Sequence, residues 1–203
     1  MKNRLFVFLL FITFYSCSED SYEKEIRDYQ NEQNLKFHQK ESSPLTGKDL
    51  DNFSALAFYK IAPTYKVTAI LTKEKDPILF EMQTTTDRKP LYIKYGTLRF
   101  TIDGEAQTLD LYQNKDYDRE PRFKNYLFLP FTDATSGNGS YAGGRYLDLL
   151  TTDERTDGTI TLDFNKSYNP YCVYNSEFSC PLTPKQNNIS VAVKAGVKDY
   201  KKQ

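Results

Sequence analysis

The feature that most constrains the fold is a change, early in the chain, from helical spacing of apolar residues to strict alternation. Residues 98–102 alternate apolar with polar side chains, and Asp103-Gly104 follows directly, with Leu109 and Leu111 beyond it. An Asp-Gly pair tolerates the positive φ angles of a two-residue turn, so this stretch predicts a β-hairpin.

The same alternation predicts several further short strands. A second strand pair is expected at residues 146–151 and 160–164, with a polar turn at Asp157-Gly158 between them. Single strands are expected at residues 67–71, 78–84, 126–131 and 190–194. No long helical pattern separates these segments, so the crossovers of a parallel sheet are missing. The predicted fold is mainly β, an antiparallel barrel or sandwich with an N-terminal helix.

That helix is expected over residues 23–39, where apolar residues are loosely spaced among charged ones in an amphipathic pattern. Ser43-Pro44 ends the segment, because the residue before a proline is disfavoured in helical geometry. A solvated tether without helical structure is the alternative interpretation.

The first residues have the plan of an export signal. Lys2 and Arg4 precede an apolar run over residues 5–15, which is shorter than the roughly 20 residues of a membrane span. Ser16-Cys17 and the acidic residues after them resemble the lipobox of bacterial lipoproteins. The resemblance implies a signal peptide over 1–16, lipidation of Cys17 and a lipidated tether or helix over 17–42. An ordinary secretory signal with an incidental cysteine is the alternative.

Composition narrows the range of partners. Lys+Arg and Asp+Glu both number 27, so no basic surface for nucleic acid is indicated. The expected location is the bacterial cell envelope, at the outer membrane or cell surface, with the membrane reached through the anchor at Cys17. Sixteen tyrosines and fourteen phenylalanines can support a core despite only 39% hydrophobic residues.

Several motifs in the second half resemble one family. These are Leu129-Pro130-Phe131-Thr132-Asp133, Gly143-Gly144-Arg145-Tyr146-Leu147, Leu162-Asp163-Phe164-Asn165, Tyr168-Asn169-Pro170-Tyr171-Cys172 and Cys180-Pro181-Leu182. Together they resemble DUF1684, a bacterial and archaeal family of unknown function. The resemblance implies one shared β domain over residues 43–198 and supplies no reaction.

Common catalytic machinery is missing from the sequence. His38 is the single histidine and falls in the predicted helix, away from any candidate nucleophile. One histidine excludes a multi-histidine metal site, and no phosphate-binding loop motif is present. No metal and no cofactor are therefore predicted, and catalytic residues cannot be named.

One polar constellation remains. Asp163 and Asn165 share a strand face, while Asp133, Arg145 and Asp148 flank a glycine-rich loop. An arginine there suits a carboxylate or phosphate, so we expect a pocket for a small polar ligand. Its predicted residues are Asp133, Arg145, Tyr146, Asp163, Asn165 and Tyr168. The alternative is a buried Arg–Asp network that holds loops onto the sheet.

Two cysteines lie close together in the chain. Cys172 and Cys180 fall within a loop rich in Tyr, Asn and Pro. In an oxidising compartment they are expected to form a disulfide. Free structural thiols, and a reactive thiol or a metal ligand, are the alternatives.

The tyrosines of the second half suggest a ligand class. Aromatic rings stack on the apolar faces of sugars, although such tyrosines also form cross-strand pairs. They are Tyr112, Tyr117, Tyr126, Tyr141, Tyr146, Tyr168, Tyr171 and Tyr174. The leading hypothesis is an envelope lipoprotein domain that binds a small polar or glycan-like ligand. Alternatives are an enzyme, such as a hydrolase using an Asp or Cys172 with Arg145, and a structural envelope-interaction protein.

Overall fold

The computed structural model describes residues 17–117 and 120–201, with the backbone alone for 17–20. This part contains two α-helices and seven β-strands. They are α1 (Cys17–His38), α2 (Gly47–Asp51), β1 (Lys66–Lys73), β2 (Leu79–Glu81), β3 (Leu91–Ile102), β4 (Glu105–Asn114), β5 (Tyr126–Phe131), β6 (Arg145–Leu150) and β7 (Thr159–Asp163).

The strands form one antiparallel sheet, curved into a half-barrel, in the order β6-β5-β4-β3-β1-β7, with β2 paired to β3. The predicted mainly β, antiparallel fold with an N-terminal helix is confirmed. The hairpin is formed by β3 and β4, and its turn residues Asp103 and Gly104 have φ angles of 50° and 80°. Both residues adopt the left-handed conformation that the Asp-Gly pair predicts.

Two strand predictions are wrong. The segments at 146–151 and 160–164 do not pair, because β6 and β7 lie at opposite ends of the sheet. Residues 190–194 form no strand. In place of ladder hydrogen bonds, the carbonyl of Val193 in that segment accepts one from the guanidinium of Arg145.

The main core lies on one face of the sheet, called here the inner face. Strand side chains such as Leu98, Leu129 and Phe131 are fully buried there, together with Val193 and Ala195 from the C-terminal segment. Each fully buried side chain of this size contributes about 1.5–3 kcal/mol of transfer free energy. The C-terminal segment thus covers the open side of the half-barrel with apolar contacts instead of an added strand.

Helix α1 packs against the β domain. Ile26 and Phe37 are buried on its inner side, and the hydroxyl of Tyr29 donates to the carbonyl of Lys166 at 2.8 Å. The exposed side carries ion pairs at i and i+4, such as Glu23 with Arg27 at 2.9 Å. Such pairs support an exposed helix by a few tenths of a kcal/mol each, about 0.2–0.5. Within the described residues, α1 is therefore part of the folded domain and forms one of its walls.

The predicted signal peptide over 1–16 lies outside the described residues. Cys17 is the first residue of α1, and its lipidation stays a prediction.

Candidate ligand-binding site

Strand β6 carries two charged residues on opposite faces. Arg145, Leu147 and Leu149 point to the inner face, whereas Tyr146 and Asp148 point to the other, the outer face. Successive side chains of a strand alternate between faces, so Arg145 and Tyr146 cannot line one pocket. This alternation divides the predicted site.

On the inner face, Arg145 forms a closed network. Its guanidinium donates to Asp133 at 2.6 Å, and neither side chain has any exposed surface. It also donates to the backbone carbonyls of Val193 at 2.8 Å, Ala195, and Val197 at 3.2 Å. These hydrogen bonds fix the C-terminal segment over the core, because that segment forms no ladder of its own.

Asp163 and Asn165 belong to a separate network. The carboxylate of Asp163 accepts a hydrogen bond from the Tyr22 hydroxyl at 2.9 Å and from the backbone N–H of Asn165 at 3.1 Å. The side chain of Asn165 donates to the carbonyl of Ala62 and accepts from its N–H. This network attaches α1 and the segment before β1 to the end of β7.

The prediction that Asp133, Arg145, Asp163 and Asn165 share a pocket is therefore corrected. Apart from Nε of Arg145, their side-chain nitrogens and oxygens hydrogen-bond mainly within the chain itself, in two networks, and all four side chains are buried. The arrangement matches the alternative interpretation, a network that holds segments onto the sheet.

Tyr146 and Tyr168 do meet, on the outer face. Their backbones form an antiparallel bridge, with N–H to carbonyl distances of 2.9 and 3.0 Å. Their rings are 5.8 Å apart in an edge-to-face arrangement, and Tyr146 also packs on Phe128 at 4.7 Å. Both tyrosines line a cavity.

This cavity, of about 800 Å³, lies between the outer face of the sheet, helix α1 and the loop 168–181. Its volume falls in the range of small-molecule sites. Among the described residues, its walls contain eight tyrosines and five phenylalanines. They are Tyr29, Phe37, Phe58, Tyr92, Tyr117, Phe123, Tyr126, Phe128, Tyr146, Tyr168, Tyr171, Tyr174 and Phe178. Six of the eight tyrosines singled out in the sequence are in this set.

Asp148 is the acidic group that β6 places in this cavity. The hydroxyls of Tyr126 and Tyr168 both donate to its Oδ1, at 2.5 and 2.6 Å. No described residue hydrogen-bonds to Oδ2, and no described cation forms an ion pair with this carboxylate. One oxygen is thus held in place, and the other is available to a ligand.

The position of Asp148 is recessed but open to solvent through the cavity. Desolvation by the surrounding protein raises the pKa of its carboxyl above the ordinary 3.8, although both tyrosine hydrogen bonds and Lys36 act in the opposite direction. Burial, together with the charge of Asp148, raises the pKa of Tyr126 and Tyr168 well above their ordinary value. Both tyrosines therefore stay protonated donors at neutral pH.

Three cationic side chains also line the cavity, in different states of pairing. Lys36 contacts Glu32 at 3.0 Å, and Lys166 contacts Glu25 at 2.6 Å. Arg88 donates to the hydroxyl and carbonyl oxygens of Ser179, at 3.2 and 3.1 Å, and has no acidic partner among the described residues. The guanidinium of Arg88 can therefore hydrogen-bond to a neutral or weakly anionic group of a ligand.

The two loop cysteines are next to each other and are free thiols in this structure. The backbone N–H of Cys172 donates to Sγ of Cys180 at 3.1 Å. Hydrogen bonds from Cys180 and Thr85 lower the pKa of Cys172 to about 7, while the pKa of Cys180 is raised. The disulfide stays a prediction.

Sequence reasoning missed Asp148 and Tyr92 as site residues, although a signal for Asp148 was present. Tyr146 and Asp148 are two residues apart on one strand, so their side chains lie on the same face of the sheet. A site that includes Tyr146 is therefore expected to include Asp148. Tyr92 belongs to β3, whose register shifts at a bulge between Lys94 and Gly96. That bulge reverses which residues face outward, and Gly96 within the strand is the sequence signal for it.

A metal cluster and a membrane-spanning helix are both absent from the described residues. Within residues 17–117 and 120–201, no group of three or more His, Cys, Asp or Glu side chains is arranged to hold a metal ion. No helix in the described part combines the length and apolar character needed to cross a membrane.

Comparison with known proteins places the β domain. The model of the family "Protein of unknown function (DUF1684)" matches residues 51–198, which include every described strand. The chain belongs to this family. A solution NMR structure of an uncharacterized protein from gene locus rrnAC0354 of Haloarcula marismortui is similar to this DUF1684 protein. The two are 35% identical with a TM-score of 0.67, over 89% of this chain and 95% of that one. No curated protein matches the chain.

Proposed function

We propose that this DUF1684 protein binds a small glycan-like ligand in the cavity beside Asp148. The observation that carries the proposal is the free Oδ2 of Asp148 within a cavity walled by aromatic rings. A sugar offers both matching features, since its ring has an apolar face and its hydroxyls donate hydrogen bonds.

The orientation of Asp148 supports this proposal. Two tyrosine hydroxyls donate to its Oδ1, so the orientation of the carboxylate is fixed before a ligand binds. Little conformational entropy of the Asp148 side chain is then lost on binding. Hydrogen bonds to a charged acceptor are stronger than neutral ones, about 1.5–3 kcal/mol compared with about 1 kcal/mol. Specificity would come from this contact and from Arg88, which also lines the cavity, and affinity from the rings.

The proposed setting is the cell envelope. An acyl group on Cys17 would sit at the first residue of α1, which contacts the β domain from Tyr22 onward. The domain would then lie close to the membrane surface, with α1 as a short connection instead of a long tether.

A hydrolase is the second candidate, and the raised pKa of Asp148 favours it. A carboxyl group that is protonated more readily than usual can act as a general acid. Arg145 cannot stabilise charge on a substrate in such an enzyme, because its side chain has no exposed surface. Hydrolysis of chromogenic aryl glycosides or esters that is lost in Asp148→Asn would support this candidate.

Thermal-shift screening tests the binding proposal. The panel holds neutral mono- and disaccharides, amino sugars, organic acids and inorganic phosphate. A ligand at a hundredfold excess over its Kd stabilises the folded state by about 2.7 kcal/mol. We expect at least one saccharide to raise the melting temperature of the wild type and to have no effect on Asp148→Asn.

The matched control is Asp103→Asn, which removes an exposed carboxylate in a turn where Asn also adopts positive φ. This variant should keep the saccharide response. Stabilisation by organic acids or phosphate alone would contradict a glycan-like ligand, and no response to the whole panel would favour a structural envelope protein.

A further inference from the structure

The loop between Cys172 and Cys180, called here the cysteine loop, is closed at its base by its two cysteines. Cys172 lies in a one-turn 3-10 helix, Tyr171–Val173. Cys180 lies beside Thr85, whose backbone N–H donates to the Cys180 carbonyl at 2.9 Å. The base of the loop thus joins two fixed points of the backbone, and the two cysteines are in contact there through the 3.1 Å hydrogen bond from the N–H of Cys172 to Sγ of Cys180.

The two thiols differ in their surroundings. Cys172 is half-buried, whereas Cys180 is only 6% exposed. The sulfur of Cys180 accepts the backbone N–H of Cys172. The interaction between the two cysteine side chains lowers the pKa of Cys172 and raises that of Cys180. The pair therefore contains one half-buried cysteine with a lowered pKa and one buried cysteine with a raised pKa.

This asymmetry supports different chemical roles. Because the thiolate is the reactive form, a cysteine with a pKa of about 7 is partly ionised at neutral pH. Its partner, with a raised pKa, stays protonated until a neighbouring group accepts its proton. Attacking and resolving thiols of redox pairs differ in this way.

We propose that Cys172 and Cys180 form a redox-active dithiol, in which Cys172 attacks a small-molecule disulfide and Cys180 resolves the product. In the first step the Cys172 thiolate bonds to one sulfur of the disulfide, whose S–S bond breaks and releases one thiolate. Cys180 then loses its proton to that thiolate or to water, and attacks Sγ of Cys172. The second small thiol leaves with the electron pair, so two protein thiols become a disulfide and one small disulfide becomes two thiols.

The test uses the full chain and oxidised glutathione, with peptide mapping to separate the pair from Cys17. In the wild type we expect an intramolecular Cys172–Cys180 disulfide. In Cys180→Ser we expect a mixed disulfide of glutathione on Cys172 to accumulate. In Cys172→Ser we expect Cys180 to react at least about tenfold more slowly than Cys172 does in the wild type, since Cys180 stays shielded from the reagent.

A second measurement needs no variant. In the reduced wild type, the alkylation rate of Cys172 as a function of pH should have its midpoint near 7, and Cys180 should react last. In the urea-unfolded chain both should titrate together near the ordinary value of about 8.5. Equal rates for the two thiols in the folded chain, or no mixed disulfide in Cys180→Ser, would overturn the proposal.

Discussion

The charged residues on the two faces of strand β6 lie in opposite environments. Arg145 on the inner face is fully buried, and Asp133 and three backbone carbonyls accept its hydrogen bonds. Asp148, three residues along, lies in a cavity with one oxygen held by two tyrosines and the other without a partner among the described residues. Groups of the protein hydrogen-bond to most of the guanidinium of Arg145, but to only one of the two carboxylate oxygens of Asp148.

This difference separates a structural charge from a binding charge. A fully buried ion pair whose two charges meet inside the protein is out of reach of a ligand. A recessed carboxylate that water reaches keeps that capacity, at a cost in desolvation that raises its pKa. By this criterion, Arg145 and Asp133 maintain the fold, and Asp148 is the group that we propose as the ligand contact.

The largest effect is expected from Arg145→Met, which tests the structural assignment. The substitution leaves Asp133 as a buried, unpaired carboxylate and removes the donor to three backbone carbonyls of the C-terminal segment. Breaking a buried pair in this way costs about 3–5 kcal/mol. We expect a loss of that size in the free energy of unfolding, measured by urea denaturation with far-UV circular dichroism.

Arg155→Met is the matched control, because Arg155 is exposed and donates only to two threonine hydroxyls. It should change the free energy of unfolding by less than about 0.5 kcal/mol. If Arg145→Met were equally mild, Arg145 would not be the group that holds the C-terminal segment.

Alternating apolar residues and turn residues predict those parts of the fold that depend on residues close together in the chain. The β3–β4 hairpin follows from alternation and an Asp-Gly turn, and β5 was predicted with its observed bounds. The failures are long-range. The irregular course of residues 190–194 depends on Arg145, a residue about fifty positions away. Likewise the positions of β6 and β7 at opposite sheet ends depend on the whole sheet order.

The candidate site was predicted only in part, for the same reason. Tyr146 and Tyr168 were chosen correctly as neighbours on one surface, and the tyrosine-rich character of that surface was visible in the sequence. The sequence predicts Arg145 as a ligand contact because a guanidinium at the end of a glycine-rich loop is suited to a carboxylate or phosphate. Whether such a charge faces a cavity or the core depends on strand parity and on which segments cover each face.

A smaller effect is expected from Tyr22→Phe, which removes a hydroxyl that donates to Asp163 and accepts from Asn165. Losing a hydrogen bond to a charged acceptor costs about 1.5–3 kcal/mol. We expect a decrease of that order in the free energy of unfolding. If α1 were merely a tether, the substitution would have no effect.

The control for this variant is Tyr141→Phe, whose hydroxyl hydrogen-bonds to no described residue; it should leave stability within about 0.5 kcal/mol of the wild type. Proteolysis gives an independent readout, since a loosened α1 should be cut earlier in Tyr22→Phe than in the control. Equal cleavage and equal stability would place α1 outside the cooperative domain.

The smallest effect on stability is expected from Asp148→Asn. This variant is also the most direct test of the difference between Asp148 and Arg145. The folded-state pKa of Asp148 lies above its unfolded value of 3.8, so between these two values the folded state binds more protons than the unfolded one. Stability contributed at this position therefore falls as pH rises through that window. Asn does not titrate, so the stability of the variant relative to the wild type should rise across the window, and this gain should persist above it.

Urea denaturation from pH 3.5 upward gives this difference directly, because the other carboxyl groups are the same in both proteins and cancel. One proton sets an upper limit of about 1.4 kcal/mol per pH unit, and the observed slope should be smaller because water reaches the carboxylate. Asp103→Asn should show no such gain. The difference in free energy of unfolding between variant and wild type could instead stay constant with pH, or favour the wild type as pH rises. Either result would mean that the hydrogen bonds from the two tyrosines stabilise the Asp148 carboxylate, so that it is a structural charge like Arg145. A gain in stability combined with loss of the saccharide response would show instead that the carboxylate is kept for binding at the expense of the fold.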